Sequence, residues 1–512
     1  MLILWALVLG EAPVAAFYSQ NGDSLAWPDI DAFSPLLPLR GWVYDALEQF
    51  ATEGLLAPSS VCAWPLSRGE AAHLVRALEP REEVRTRVLD LLSAWRRALI
   101  PPPVMRIGRW DVPLHFYGDV LFSSLGSTRA FEENVDRYEG FSFAEGSTED
   151  LRFSVGVGVG RSVGGVGVPR LLIRKGRTPI VSLERGYVNA LVRGIGLLYG
   201  KAQAGWGVGY RGDFVLTDQG LSLPMLRIWG KRRTVALDGM VLGLKRPAPR
   251  DLRHSAPSIE HTLFTGLRVL WWPLPWLGLE GSMGNAFPQG YWREVLQVWK
   301  KNKAITRVAE LGVQWYPRAG IKLYGAVASD DLWGSDVGGA LWRGKRRIGV
   351  LWGLYLSDPL GDRKTDFRME WARLDEHGQG NWYGGGYSSG GILLGHPMGW
   401  DDVKGPRHSE RDLFIRIRHH WFSSTTVICE YDRGEADLHF EPFVVHPTPV
   451  WVEVKDYLSS VLFRVNQRFG EQWTCTLDIR FVFTLKEVMQ TGALWSHGSD
   501  QMVVLRAGYR VL

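Results

Sequence analysis

The chain has 512 residues, 22% of them charged and 46% hydrophobic, with a formal net charge of +5. Twenty-four tryptophans within a 12% aromatic content exclude a disordered chain, and the 59 glycines follow no triplet period, which excludes collagen. Three cysteines, Cys62, Cys429 and Cys475, are too few and too scattered for a disulfide scaffold.

Residues 1–16, MLILWALVLGEAPVAA, hold an apolar run from Leu2 to Gly10 and then Val14-Ala15-Ala16, a small-residue cleavage pattern. They read as a secretory signal peptide, too short to remain as a membrane-spanning helix, with no Lys or Arg before the apolar run. Downstream no run of 18 or more uncharged apolar residues occurs, so no helical membrane span is expected. An exported chain of this kind is either soluble or a transmembrane β-barrel.

Residues 17–105 are expected to be a small helical bundle. In Arg40 to Leu56, Val43, Leu47 and Phe50 recur at helical spacing and Gly54 stands where a helix would end. A second helix is expected over Ser67 to Leu78, where Ser67 and Glu70 form a capping box. A third runs from about Arg81 to Leu99, and Pro101-Pro102-Pro103 closes the helical region.

From residue 106 to 512 the period changes from 3.6 to 2, as in β-strands. Phe153, Val155, Val157 and Val159 alternate with small residues. Ile348, Val350, Trp352, Leu354 and Leu356 share a face. Leu413, Ile415, Ile417, His419 and Trp421 oppose Phe414, Arg416, Arg418 and His420. Val461, Phe463, Val465 and Phe469 oppose Arg464, Asn466 and Arg468. Trp473, Cys475, Leu477, Ile479, Phe481 and Phe483 oppose Thr474, Thr476, Asp478 and Arg480. Val503, Leu505, Ala507, Tyr509 and Val511 oppose Val504, Arg506 and Arg510.

Segments of about ten residues, without helical crossovers and with aromatics at their ends, fit a membrane barrel better than a soluble sandwich. Trp271-Trp272, Trp315-Tyr316 and Trp421-Phe422 are expected to form interfacial girdles. At roughly 20–25 residues per strand and loop, the region accommodates about 16–18 antiparallel strands. If the apolar faces meet lipid, Arg416, Arg418, Arg464, Arg468, Arg506 and Arg510 face the lumen. A basic lumen attracts anionic polymers; the alternative pairs these arginines with lumen acids such as Glu370, Glu430, Glu453 and Asp478.

Motifs for chemistry are sparse. Gly386-Tyr387-Ser388-Ser389-Gly390 matches the nucleophile elbow, but the glycines after it oppose the helix that motif requires, so a glycine-rich loop is the expectation. Gly205-Trp206-Gly207-Val208-Gly209-Tyr210 lacks the lysine and spacing of a phosphate loop and reads as a kinked strand or tight turn. His408, His419, His420, His439 and His446 follow no metal-ligand spacing, so no metal or cofactor is expected. Asp330-Asp331 and Asp401-Asp402 read as solvated loop carboxylates. Nucleic acid is not an expected partner, because the charge is small for the length and no binding motif occurs.

Four blocks in order resemble the Wzi family of outer-membrane capsule assembly proteins. Ala63 to Ala72, AWPLSRGEAA, looks like the family's W-P-L-S segment entering a periplasmic helix. Ala204 to Leu216, AGWGVGYRGDFVL, resembles its W-G-P-G-Y-x-G-S-L strand segment through Trp206, Gly207, Gly209 and Tyr210, with Val208 in place of proline and Asp213 in place of serine. Lys322 to Asp331, KLYGAVASDD, resembles a strand entering an acidic loop. Tyr387 to Asp402 resembles G-G-x-x-L-G-H-x-M-G-x-D through Gly390, Gly391, Leu394, Gly395, His396, Met398, Gly399 and Asp401. The chain departs from barrel insertion signals in ending on Leu512 rather than an aromatic.

The resemblance implies an 18-stranded outer-membrane barrel with a periplasmic helical bundle. It also implies a lectin-like, non-enzymatic role in holding capsular or related surface polysaccharide, in contact with outer-membrane lipid and as a monomer. Candidate sugar contacts are Trp333, Asn381, Trp382 and Tyr383 in loops, because aromatic faces pack on sugar C–H surfaces, and the basic residues Arg416, Arg418, Arg464 and Arg468. The rival readings are a porin-like channel for small solutes and an outer-membrane hydrolase using Ser388 or Ser389.

Overall fold

A computed structural model describes residues 42–61 with 66, 70, 71, 74 and 78 beside them, 105–107, 110–127, 146–159, 163–244 except 177, 193, 218–221 and 233, 263–288, 305–330, 348–375 except 363, 388–389, 392–393, 409–445 except 423, 448–469, 473–488 and 493–511. The signal-peptide reading of residues 1–16, the third helix near 81–99 and the capping residue Ser67 lie outside the described residues.

Helix α1, Trp42–Thr52, is amphipathic and ends as its sequence predicts. Gly54 takes φ 76°, and Leu55 N–H donates to Phe50 O at 2.9 Å, so a left-handed glycine terminates the helix. A short helix α2, Pro58–Val61, follows, and Glu70, Ala71 and Leu74 are also helical. Val43, Leu47, Phe50, Val61, Leu66 and Leu74 are buried in one small core.

The strands are β1 Met105–Ile107, β2 Trp110–Ser127, β3 Gly146–Val159, β4 Val163–Arg174, β5 Ile180–Val192, β6 Ile195–Ala202, β7 Leu223–Arg232, β8 Val235–Gly243, β9 Leu263–Leu274, β10 Leu277–Phe287, β11 Thr306–Arg318, β12 Ile321–Asp330, β13 Ile348–Leu356, β14 Thr365–Asp375, β15 Ser388–Ser389, β16 Ile392–Leu393, β17 Ser409–Phe422, β18 Thr425–Val445, β19 Thr448–Phe469, β20 Trp473–Val488 and β21 Ala493–Val511. Each wall strand pairs antiparallel with its chain neighbours, and β14 pairs with β17. β2 pairs with β21 from Gly118↔Val511 to Ser127↔Met502, which closes an 18-stranded barrel. β1 adds a short hairpin to β2, and among the described residues β15 and β16 pair with each other and not with the wall.

Alternation decides which side chains face out. Val181, Tyr199, Leu311, Ile228, Trp352, Ile417 and Phe463 are exposed, whereas their strand neighbours Arg227, Arg416, Arg418 and Leu462 are buried. An apolar outer belt around a polar interior is stable only against lipid, and a closed barrel leaves no unpaired edge there. No helix among the described residues is long and apolar enough to cross a membrane.

Turns at one end are short, such as those at residues 275–276 and 319–320; at the other end residues 244–262, 331–347 and 376–408 connect the strands. Short turns mark the periplasmic side of such barrels. Exposed Trp271, Trp421, Phe469 and Trp473 lie near the short turns, and Trp473 packs on Tyr509 with ring centroids 4.6 Å apart. The girdle expectation needs one correction. Trp272 and Tyr316 follow their outward-facing neighbours by one residue, so the period of two turns both inward, where they are buried and 6.1 Å apart.

Candidate functional site

Two segments fill the described part of the lumen. The first is α1, held at the short-turn end, where Gly320 N–H donates to Thr52 O at 2.7 Å. Its carboxylates reach the wall. Asp45 accepts from Arg416 at 2.7 Å and Arg418 at 3.3 Å, and Glu48 accepts from Lys322 at 2.6 Å and Arg368 at 2.5 Å. Burial alone would raise both carboxyls. The Arg416 and Arg418 guanidiniums outweigh it at Asp45, and Arg368 and Lys322 bring Glu48 down to about 2.

The second segment is Gln203–Thr217, between β6 and β7, which enters from the long-connection end. The sequence blocks suggested a strand; instead the chain leaves the wall and folds into the lumen. Its glycines explain why. Gly207 has φ 111°, and a Cβ there would lie 2.1 Å from the Asp213 carboxylate; a Cβ on Gly209 would lie 2.1 Å from Gly212 O. Asp213 instead accepts from Gly209 N–H at 2.7 Å, and its own N–H donates to the Thr217 hydroxyl at 2.7 Å. The segment is thus self-bonded rather than laddered, and Asp213 makes the bonds that pin the turn.

Wall glycines receive the segment's large side chains. A Cβ on Gly266 would sit 2.4 Å from the Trp206 ring, one on Gly312 2.8 Å from Val208, and one on Gly349 2.7 Å from Phe214. Trp206, Val208, Phe214, Val215 and Leu216 are buried in one apolar cluster with wall residues Phe264, Leu351 and Leu374. Polar groups are met as well: Trp206 Nε1 donates to Asp238 at 2.8 Å, a carboxylate that also holds Arg227 at 2.9 Å, and Phe214 N–H donates to Glu310 at 3.0 Å.

Tyr210 joins the two plugs. Its N–H and that of Arg211 donate to the two oxygens of Glu370, at 2.6 and 2.8 Å, and Tyr324 donates to the same carboxylate at 3.0 Å. The Arg368 guanidinium lies 4.1 Å from the Tyr210 ring centroid, a cation–π contact, and Arg416 donates to its hydroxyl. Arg368 and Arg416 are the same residues that grip Glu48 and Asp45. A cavity of about 50 Å³ separates Tyr210 from Tyr44, Asp45 and Glu48.

Several lumen arginines are paired with acids, whereas Arg307 donates to the amide oxygen of Asn285 at 2.6 Å. Arg418 also donates to Asp366. Arg416 lies 3.7 Å from Glu430. Arg464 makes a two-pronged bond to Asp478 at 2.6 and 2.8 Å, which Arg506 approaches at 3.3 Å. Arg268 clasps Glu280 at 2.7 and 2.9 Å, and Arg170 clasps Asp150 at 2.8 Å. Glu430 and Asp478 therefore act as the acid partners that the alternation suggested, whereas Glu370 serves backbone N–H groups instead. Arg468 lies near the short turns, its N–H donating to Ser424 O at 2.9 Å. Trp333, Asn381, Trp382 and Tyr383 lie outside the described residues, as do Gly390, Gly391, Leu394, Gly395, His396, Met398, Gly399 and Asp401. Ser388 and Ser389 lie in a two-residue hairpin with Ile392 and Leu393, not in the strand-to-helix turn of a nucleophile elbow. Sequence reasoning placed Glu370 in the lumen but as an arginine partner, and it missed Asp45 and Glu48; one signal was an acid pair, three apart, on an amphipathic helix.

These features define a plugged transmembrane β-barrel of the outer-membrane type. Among solved structures the fold is that of Wzi from Escherichia coli, described as an outer-membrane protein involved in group 1 capsule assembly and a carbohydrate-binding β-barrel. The likeness has a TM-score of 0.60 at 14% identity and covers 93% of this chain and 99% of that one. Pseudomonas aeruginosa OccK5 and OpdK match less well, each at a TM-score of 0.45, with 11% and 13% identity over 78% and 77% of this chain and 98% of theirs. No family model and no curated protein matches the chain.

Proposed function

We propose that this protein is a non-catalytic outer-membrane barrel that binds surface polysaccharide and holds it at the cell surface. The observation that carries the reading is the double plug. α1 and Gln203–Thr217 are tied together through Arg368 and Arg416, which contact both, and a barrel filled in this way suits a rigid display platform better than a solute path. The likeness to a carbohydrate-binding barrel over 93% of the chain supports the same reading. Trp333, Asn381, Trp382 and Tyr383, which fall between strands joined at the long-connection end, are the sugar-contacting groups in this reading, because aromatic faces pack on sugar C–H surfaces. Arg416, Arg418 and Arg464, committed to carboxylates, serve as the frame beneath those groups, and Arg468 belongs to the same basic strand face. A signal peptide at residues 1–16 delivers the chain, which works as a monomer without a cofactor.

The test is deletion of the gene with comparison of cell-attached and shed polysaccharide. Shedding on deletion, restored by the intact chain, is expected. Unchanged attachment would sink the reading. Solute-dependent conductance of the intact protein in planar bilayers would favour a channel instead.

A further inference from the structure

On the outer wall near the long-connection end, Arg373 of β14 stands directly opposite Arg411 of β17 in the strand register. Arg433 of β18 pairs with Leu413, two residues along β17 from Arg411 and on the same face. The parity is outward: Ala372, Leu374 and Asp412 are buried, whereas Arg411 and Arg433 are exposed and Arg373 is half-buried. Like charges directly opposite each other across a strand pair repel, so this stretch of the outer face concentrates positive charge. The register also sets Glu435 of β18 opposite Arg411, and Asp375 lies two residues beyond Arg373 on β14.

Depth identifies the environment. Trp421, in the girdle near the short turns, and Arg411 are ten residues apart on β17. At about 3.4 Å per residue and a tilt of roughly 40°, that is about 26 Å, one hydrocarbon thickness of such a membrane. Below the arginines lies an apolar and aromatic row, with Trp352 and Trp371 in register and their rings 6.1 Å apart. Guanidiniums at headgroup depth over an aromatic row match an amphiphile with an anionic head and acyl chains. The planar fork of arginine suits phosphate oxygens two at a time.

We propose that Arg373, Arg411 and Arg433 form an external site for the phosphate-bearing headgroup of an acylated glycolipid in the outer leaflet. The site is separate from the lumen and does not depend on polysaccharide binding.

The test uses the full chain purified in detergent, with native mass spectrometry as the readout. The probes are lipid A, the same lipid A stripped of its phosphates, and inorganic phosphate. Lipid A is expected to remain bound, and the stripped form to bind at least ten-fold more weakly. The combined variant Arg373→Gln, Arg411→Gln and Arg433→Gln should lose at least ten-fold in affinity for lipid A. Arg232→Gln, on an exposed arginine at the opposite end, should lose nothing. Should the combined variant misfold, Arg411→Gln alone should reduce binding while the unfolding temperature holds. Equal binding of the two lipid forms, or wild-type binding by the folded variant, would overturn the proposal. Displacement of lipid A by millimolar inorganic phosphate would also overturn it, by revealing a site for free anions.

Discussion

Asp45 on α1 and Arg416 on β17 are 371 residues apart in the chain and 2.7 Å apart in the fold. The same Arg416 donates to the Tyr210 hydroxyl, so one guanidinium binds the plug from each end of the barrel. Removing one partner from a buried pair typically costs about 3–5 kcal/mol, because the other charge is left uncompensated. Asp45→Ala should therefore release α1 and lower the unfolding temperature. Protease cleavage within residues 42–52 of the folded variant should report the release, with the intact protein resistant.

The pH response of this contact has a definite sign. Glu48 titrates near 2 in the folded protein and Asp45 also lies below its ordinary value, whereas unfolded carboxyls titrate near 4. Groups depressed by folding stabilise fully above the unfolded value and lose that contribution as pH falls through the folded one. At Glu48 the shift corresponds to about 3 kcal/mol. Resistance of α1 to an acid-active protease should hold from pH 7 to about 5 and decline toward pH 2. In Glu48→Gln the decline below pH 5 should be smaller and the starting stability lower.

Glu370 accepts three hydrogen bonds, two of them from the backbone of the inward segment. Hydrogen bonds to a charged group are worth about 1.5–3 kcal/mol each. Glu370→Ala should free residues 204–217 locally while the wall survives. Hydrogen exchange in that segment should accelerate by several orders of magnitude, and exchange in β12 and β13 should stay slow.

Gly266 supplies the space for the Trp206 ring. Gly266→Leu overfills it and should destabilise by about 1–3 kcal/mol, the usual cost of overpacking. Trp206→Ala alone should also destabilise, by cavity formation and by loss of the bond to Asp238. The double variant should be more stable than the sum of the two losses predicts, as read from unfolding midpoints. Strict additivity would show that the two residues do not share the space.

Combined alanine substitution of Trp333, Trp382 and Tyr383 should reduce cell-attached polysaccharide without moving the unfolding temperature. An unchanged polysaccharide level would remove these three side chains from the proposed sugar face.

The wall was the legible part of the sequence, because alternation in a barrel is enforced twice, by lipid outside and by polar pairs inside. Ile348–Leu356 emerges with the bounds its pattern suggests, and the Arg416 and Arg418 face points inward as expected. Side-by-side aromatics were misleading: Trp271 and Trp272 look alike in composition, but adjacent residues on a strand face opposite sides. The inward segment was illegible for a different reason. Its conformation comes from Asp213, Thr217 and Glu370 bonding the backbone, and nothing local in Ala204 to Leu216 reveals a carboxylate 160 residues away. Periodicity gave α1 a helix but no destination. Its docking depends on which wall strands present Arg368, Arg416 and Arg418 at one height, a property of register rather than of composition.

The glycine notches at Gly266, Gly312 and Gly349 lie on β9, β11 and β13, all later in the chain than the segment they receive. The wall seals only at β2 and β21, its first and last strands. Trp206, Val208 and Phe214 are therefore keyed to wall strands far along the chain from them, each to a glycine that leaves it room. Filling and wall are complementary shapes: the strand register that seals the seam also lines up the notches with the side chains they hold.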